Sequence, residues 1–140
     1  MNSTDVVRQM IERAFNTGDL SAVDELLAPG AVDHQESPDT NFRVHLKQVI
    51  SQLRTAFPDL HFEIQHLLSD GDIVAINSVM TGTHDGPFRG LPATGRSIRV
   101  RHMHFVHVVG SQGHDLWHLW DMPGLMKQLT TEPSQAAQVL

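Results

Sequence analysis

The chain has 140 residues, enough to bury one core and too few for two, of which 40% are apolar and 19% charged, an ordinary globular balance. No apolar run approaches the roughly 18 residues that span a bilayer, and the absence of cysteine excludes disulfides, thiolate metal sites and cysteine nucleophiles. The formal charge of −6, with the ten basic residues scattered, argues against a nucleic-acid partner.

The start, MNSTDVVRQM, lacks a basic segment followed by an apolar run, so the cytoplasm is the expected compartment. Val7, Met10, Ile11 and Ala14 recur at helical spacing behind Ser3, Thr4 and Asp5, and Gly18 is a natural stop; a first helix is expected over residues 4–16. Asp19 can cap a short second helix that turns Leu20, Val23, Leu26 and Leu27 inward and ends at Pro29-Gly30. Residues 34–41 are polar and read as a loop. In the third helix Phe42, Leu46, Val49, Ile50, Leu53 and Phe57 form one apolar stripe, closed by Pro58.

From Leu60 the apolar period becomes two. Strands are expected over 60–68, 73–84, 98–109 and 115–120, with turns at 69–72 and 110–113 and a Gly/Pro-rich loop over 84–96. A short helix over 122–129 closes a single domain of residues 1–130, and residues 131–140 read as a flexible tail. Helices followed by strands specify an α+β fold with the helices on one side of an antiparallel sheet. If that sheet is strongly curved, a pocket lies between its concave face and the helices.

The ten histidines are unusual for the length, and protonating all of them takes the formal charge from −6 to +4. Assembly and solubility are therefore expected to be most sensitive to pH at about 5.5 to 7. Strand alternation puts His102 and His104 on one face with Val100 and Val106, and His107 on the other with Arg99 and Arg101. On the last strand His114, Leu116, His118 and Trp120 share a face. Imidazoles among apolar residues on neighbouring strands suit acid/base chemistry near neutral pH. A His-x-His on a strand also suits a transition metal when further ligands converge, although by spacing alone it is a weak signal. No phosphate-binding Gly loop, dinucleotide fingerprint or Gly-x-Ser-x-Gly elbow is present.

Three segments carry a family resemblance. They are Ala56-Phe57-Pro58-Asp59-Leu60; Thr81-Gly82-Thr83-His84 with Gly86-Pro87-Phe88-Arg89-Gly90-Leu91-Pro92-Ala93-Thr94-Gly95-Arg96; and residues 117–121 followed by Gly124-Leu125-Met126-Lys127-Gln128-Leu129. Together they resemble the SnoaL-like polyketide cyclases, of the nuclear-transport-factor-like superfamily. The resemblance implies a cone-shaped α+β fold, three helices against a curved sheet that encloses a pocket. It further implies cofactor-independent closure of a ring by intramolecular aldol chemistry on a hydrophobic carbonyl compound, with no metal.

Aligning the last helix on Gly124 and Gln128-Leu129 places the family's acid/base aspartate on His118 and its pocket histidine on His104. Asp121 is the alternative acid/base residue, one small register shift away. His102 then joins His104 in polarising the substrate or donating a proton, and His34 corresponds to a position at the pocket edge. Trp120 is placed to stack on a planar substrate, and Phe88 and Leu91 to cover the pocket. A homodimer or higher homo-oligomer through the convex sheet face is expected. A related isomerase, hydrolase or hydroxylase, and a non-catalytic ligand-binding or dimerisation module, are the competing readings.

Overall fold

The computed structural model describes residues 1–131; the segment 132–140, where nearly all of the expected flexible tail falls, lies outside the described residues. The first helix starts as α1 (Ser3–Gln9), with Asn2 and Asp5 exchanging bonds in a capping box, and widens into a π-helical turn over Met10–Phe15. After α2 (Ser21–Leu26), β1 (Leu27–Asp33) and α3 (Phe42–Ala56), four strands follow: β2 (His61–Asp70), β3 (Ile73–Thr83), β4 (Ser97–Val109) and β5 (Gln112–Trp120). The helix α4 (Met122–Thr130) comes last. Among the described residues no helix is long and apolar enough to cross a membrane.

The expected α+β architecture is present, with one strand more than the sequence pattern reveals. The sheet order is β1-β5-β4-β3-β2, and β1 pairs with β5 in parallel while every other pair is antiparallel. Leu27 therefore leaves the second helix and opens an edge strand. Pro29 and Gly30, read as a helix stop, fall where the β1 register shifts between Leu27 and Val32. A proline has no N–H for the ladder, so an irregular edge is where it fits.

One sheet face is apolar and packed under the helices. Val74, Ile76, Ser78 and Met80 of β3 lie opposite Val106, His104, His102 and Val100 of β4. Phe42, Ile50, Leu53 and Phe57 of the α3 stripe are buried against this face, while Leu46 and Val49 are half-buried beside it. Each fully buried side chain of this size stabilises the fold by about 1.5–3 kcal/mol. The outer face leaves Met103, Phe105, Trp117 and Leu119 exposed, with Arg99 and Arg101 on the same side.

Irregularities bend the sheet and change which side chains face inward. The β2 register shifts between Ile64 and His66, so Phe62 is buried but Leu68, expected on the same face, is 66% exposed. A second shift in β4–β5 pairs His107 with Asp115 and Val108 with Gly113, leaving His114 as the extra residue.

Polar side chains tie the layers together. Arg54 Nη1 donates to the carbonyls of Phe15 and Asn16 at the end of the first helical segment, and Asn16 exchanges two bonds with the backbone of Phe62. The β5 ladder ends with Trp120 opposite His102, so the backbone of Arg99 pairs instead with the Gln128 side chain, which accepts at 2.7 Å and donates at 2.9 Å. The 84–96 loop rests on the end of α3, where the N–H groups of Asp85 and Gly86 donate to the Ala56 carbonyl. A Cβ at Gly86 would lie 2.2 Å from the Thr55 oxygen, so only glycine allows that approach.

Candidate active site

Between the helices and the concave face lies a cavity of about 770 Å³, within the usual range of small-molecule sites. Its walls are apolar: Val7, Met10, Ile11 and Phe15 from the first helical segment, Leu46 and Val49 from α3, and Ile76 and Met80 from β3. Its floor is polar, and strand pairing builds it. His104 of β4 lies directly opposite His118 of β5, and His102 opposite Trp120. The His102 ring centroid is 4.0 Å from that of His104, 5.6 Å from that of His118 and 5.8 Å from that of Trp120. Four residues selected from strand parity and the family resemblance thus meet in one cavity.

The remaining selected residues divide. Phe88 is buried in the cavity wall with its ring 5.7 Å from Phe57. Leu91 does not line the cavity; it exchanges backbone bonds with Phe88 across a tight turn in which Arg89 and Gly90 take positive φ. His34 is also displaced from its expected place at the pocket edge. It stacks on Trp117 of the outer face, centroids 4.7 Å apart and rings 4° from parallel, with Nε2 2.9 Å from Asp115. The β1 pairing explains this, because Val32 and His34 point outward where Asp33 points in. Asp121 is the exposed N-cap of α4, accepting from the Gly124 N–H at 2.9 Å, and is not part of the cavity lining. His114, displaced by the β4–β5 irregularity, lies near His107 and outside the cluster.

Asp33 is the residue that sequence reasoning passed over. Its carboxylate, 5% exposed, lies 3.0 Å from His118 Nε2 and accepts from the Gln35 N–H. Gln35 also accepts from the backbone N–H of His118 at 2.7 Å. Ala31, Val32 and Asp33 alternate buried, exposed and buried in the structure, but their residue types, apolar, apolar and polar, give no period of two in the sequence. His45 and Glu36, 3.2 Å apart, complete the polar rim.

Burial and partners set the electrostatics. Burial pushes the Asp33 carboxyl up, but its bonds from His118 and the Gln35 N–H prevail and hold it below the ordinary carboxylate range. Burial, reinforced by the neighbouring His118, pushes His102 down from 6.5 to about 3. His104 is held well below 6.5 by burial and by the His102 and His118 rings. Both are neutral at pH 7. A carboxylate can only accept, so His118 Nε2 carries the hydrogen, and its Nδ1 lies 3.4 Å from His102 Nε2. The Nδ1 atoms of His102 and His104 are buried without a hydrogen-bond partner.

The comparisons with known proteins give this cavity a family. A family model for SnoaL-like polyketide cyclases matches residues 5–129, and the chain belongs to that family. It is 30% identical over 131 residues to the aklanonic acid methyl ester cyclase DnrD of Streptomyces peucetius, a match covering 89% of this chain and 88% of that protein. The corresponding cyclase DauD of Streptomyces sp. strain C5 is also 30% identical, covering 89% of this chain and 80% of that protein. Among solved structures, IdmH of Streptomyces antibioticus, a provisionally assigned polyketide cyclase, superposes with a TM-score of 0.80 at 30% identity, covering 92% of this chain and 99% of that one. A SnoaL-like protein from Jannaschia sp. CCS1 shares the fold, with a TM-score of 0.81 at 20% identity over 94% and 93% of the two chains.

A histidine buried as the neutral base makes the fold sensitive to acid. Below about pH 6.5 the unfolded chain takes up a proton at His102 that the folded chain refuses until about pH 3, so stability present at neutral pH declines across that window as pH falls. The slope is about 1.4 kcal/mol per pH unit for each such histidine. Scanning calorimetry between pH 7.5 and pH 5 in chelator-treated buffer should therefore show a steep fall in Tm for the native chain and a shallower one for His102→Gln. Equal slopes for the two proteins would contradict the assignment.

Proposed function

We propose that this chain is a cofactor-independent polyketide cyclase that closes a ring by intramolecular aldol chemistry, with His118 as base and Asp33 as its positioning residue. The observation that carries the reading is the Asp33–His118 pair, 3.0 Å apart on the floor of an apolar cavity. With its hydrogen fixed on Nε2, His118 offers the Nδ1 lone pair to a proton α to a carbonyl. The imidazolium formed is stabilised by the adjacent Asp33 carboxylate, the role a buried carboxylate plays beside a catalytic histidine elsewhere. The enolate carbon attacks a second carbonyl of the same molecule, forming the new C–C bond and an alkoxide. That alkoxide takes the proton back, so substrate and product are isomers and no co-reactant is consumed.

His102 and His104, kept neutral by burial, are hydrogen-bond donors for the developing oxyanions, and Trp120 offers a flat surface to a planar substrate. The open cavity, with His104 opposite His118 at its floor, favours catalysis over a purely structural or dimerisation role for these histidines. Aklanonic acid methyl ester, named for the two Streptomyces cyclases, is the substrate to try first.

The exposed outer face supports the expected homodimer, since Met103, Phe105, Trp117 and Leu119 expose apolar surface together. Sedimentation equilibrium should give a dimer that Leu119→Glu weakens; a monomer across the micromolar range would contradict it.

For catalysis, turnover of aklanonic acid methyl ester should give a product of unchanged mass. His118→Gln should lower kcat by about 10²- to 10⁴-fold. Asp33→Asn should lower kcat by about 10²-fold with KM nearly unchanged, because it alters the base and leaves the apolar walls intact. Wild-type kcat in His118→Gln would remove His118 from the chemistry, and a product of different mass would replace the cyclase reading with a hydrolase or hydroxylase.

A further inference from the structure

The polar floor has more nitrogen lone pairs than hydrogens to share among them. His102, His104 and His118 each offer one ring nitrogen, and these three atoms lie within 4.8 Å of one another. The Nδ1 atoms of His102 and His104 are buried and unpartnered, a costly state for polar groups unless a ligand satisfies them. The separation of His102 Nε2 from His118 Nδ1 is 3.4 Å, beyond the usual range of about 2.7–3.2 Å for a good hydrogen bond from N–H.

The surroundings also match. A metal-bound histidine almost always donates its other ring N–H to a carboxylate, which fixes the ring and raises its basicity. His118 does this to Asp33 at 3.0 Å. Three neutral nitrogens with no thiolate or direct carboxylate ligand suit ions of the zinc, cobalt and nickel class rather than magnesium or calcium. The cavity above the cluster leaves the fourth position open to a water or a substrate oxygen.

We propose that His102, His104 and His118 form a binding site for a divalent ion of the zinc class, and that the bound ion switches the enzyme off. The switching half rests on the reading of His118 as base: the ion takes up the Nδ1 lone pair that would otherwise accept the substrate's proton. The binding half stands on the geometry alone. Zinc then acts as a reversible inhibitor, released by chelation, and not as a resident cofactor of the reaction.

The test uses the full-length chain, stripped with a chelator and titrated with Co²⁺ alone. The expected result is the intense visible absorption of tetrahedral cobalt, saturating at one ion per chain and abolished by added Zn²⁺. His104→Leu should weaken binding by about 10²-fold or more, and Asp33→Asn by about 10- to 100-fold, as for outer-sphere partners generally. His107→Ala, on the outer face beside Asp115, should leave the absorption unchanged. Circular dichroism of the variants separates a lost ligand from a lost fold, and the wild-type titration does not depend on any variant. In the activity arm, Zn²⁺ should suppress cyclisation and EDTA restore it. No saturable cobalt absorption in the wild type, or absorption lost with His107→Ala and kept with His104→Leu, would overturn the site and leave the base reading standing. Binding at the site that raises turnover would overturn the switch together with the base reading.

Discussion

The bond between the Asp33 carboxylate and His118 Nε2 is the contact on which the cavity floor depends. A carboxylate 5% exposed must collect donors or lose its charge, and Asp33 has two, the His118 ring and the Gln35 N–H. The first comes from the parallel pairing of β1 with β5, which brings the end of an edge strand beside the last antiparallel strand, and the second is local, two residues along the chain. The pairing is reinforced when Gln35 accepts from the His118 backbone, so ring and main chain are held by one short segment. Fixing the hydrogen on Nε2 decides what the rest of the cluster can do. It turns the Nδ1 lone pair toward His102 and makes three imidazoles into a set of acceptors and weak donors.

Against that polar floor the walls are almost entirely aliphatic and aromatic, and the contrast has an energetic meaning. Burying His102 and His104 without partners for their Nδ1 atoms sacrifices stability that leucine or valine at the same positions would have supplied. Violations of the usual rules for a well-packed core concentrate at functional sites. Two of them, His102 and His104, lie side by side on β4 at the floor of one cavity. His84, also fully buried, likewise leaves Nε2 without a partner, but its Nδ1 is bonded to Thr94, its ring packs on Phe57, and it lies outside the cavity, so it anchors the 84–96 loop. Burial alone does not mark a functional histidine in this chain; burial with an unsatisfied nitrogen facing the cavity does.

Much of the fold was legible because its signals are periodic. The α3 stripe from Phe42 to Phe57 and the alternation along β3 and β4 survive in the structure with shifts of a residue or two at their ends, since each element packs one regular face on one core. The convergence of His102, His104 and His118 followed from the same alternation. What was not legible breaks the period or lies far apart in sequence. The strand β1 is seven residues long and contains Pro29-Gly30, and its pairing partner lies more than eighty residues away, so nothing local announces it. His34 was selected from the family resemblance, and without the strand nothing local says that Asp33 beside it is the residue that faces in. The register shifts at His114 and between Ile64 and His66 reversed other faces, because a single extra residue inverts a period of two. Asp121 was misplaced by a different route, since a residue that caps a helix cannot also project from the strand before it.

The central claim is that Asp33 sets the state of His118, and the imidazole nitrogens report on it directly. In protein labelled with nitrogen-15 at histidine, free of metal and at neutral pH, a long-range nitrogen–proton correlation spectrum distinguishes hydrogen on Nε2 from hydrogen on Nδ1. The account predicts that the neutral form of His118 carries its hydrogen on Nε2 alone, becoming a mixture of both tautomers in Asp33→Asn. Hydrogen found on Nδ1 in the native chain, or a spectrum indifferent to the loss of the carboxylate, would contradict it.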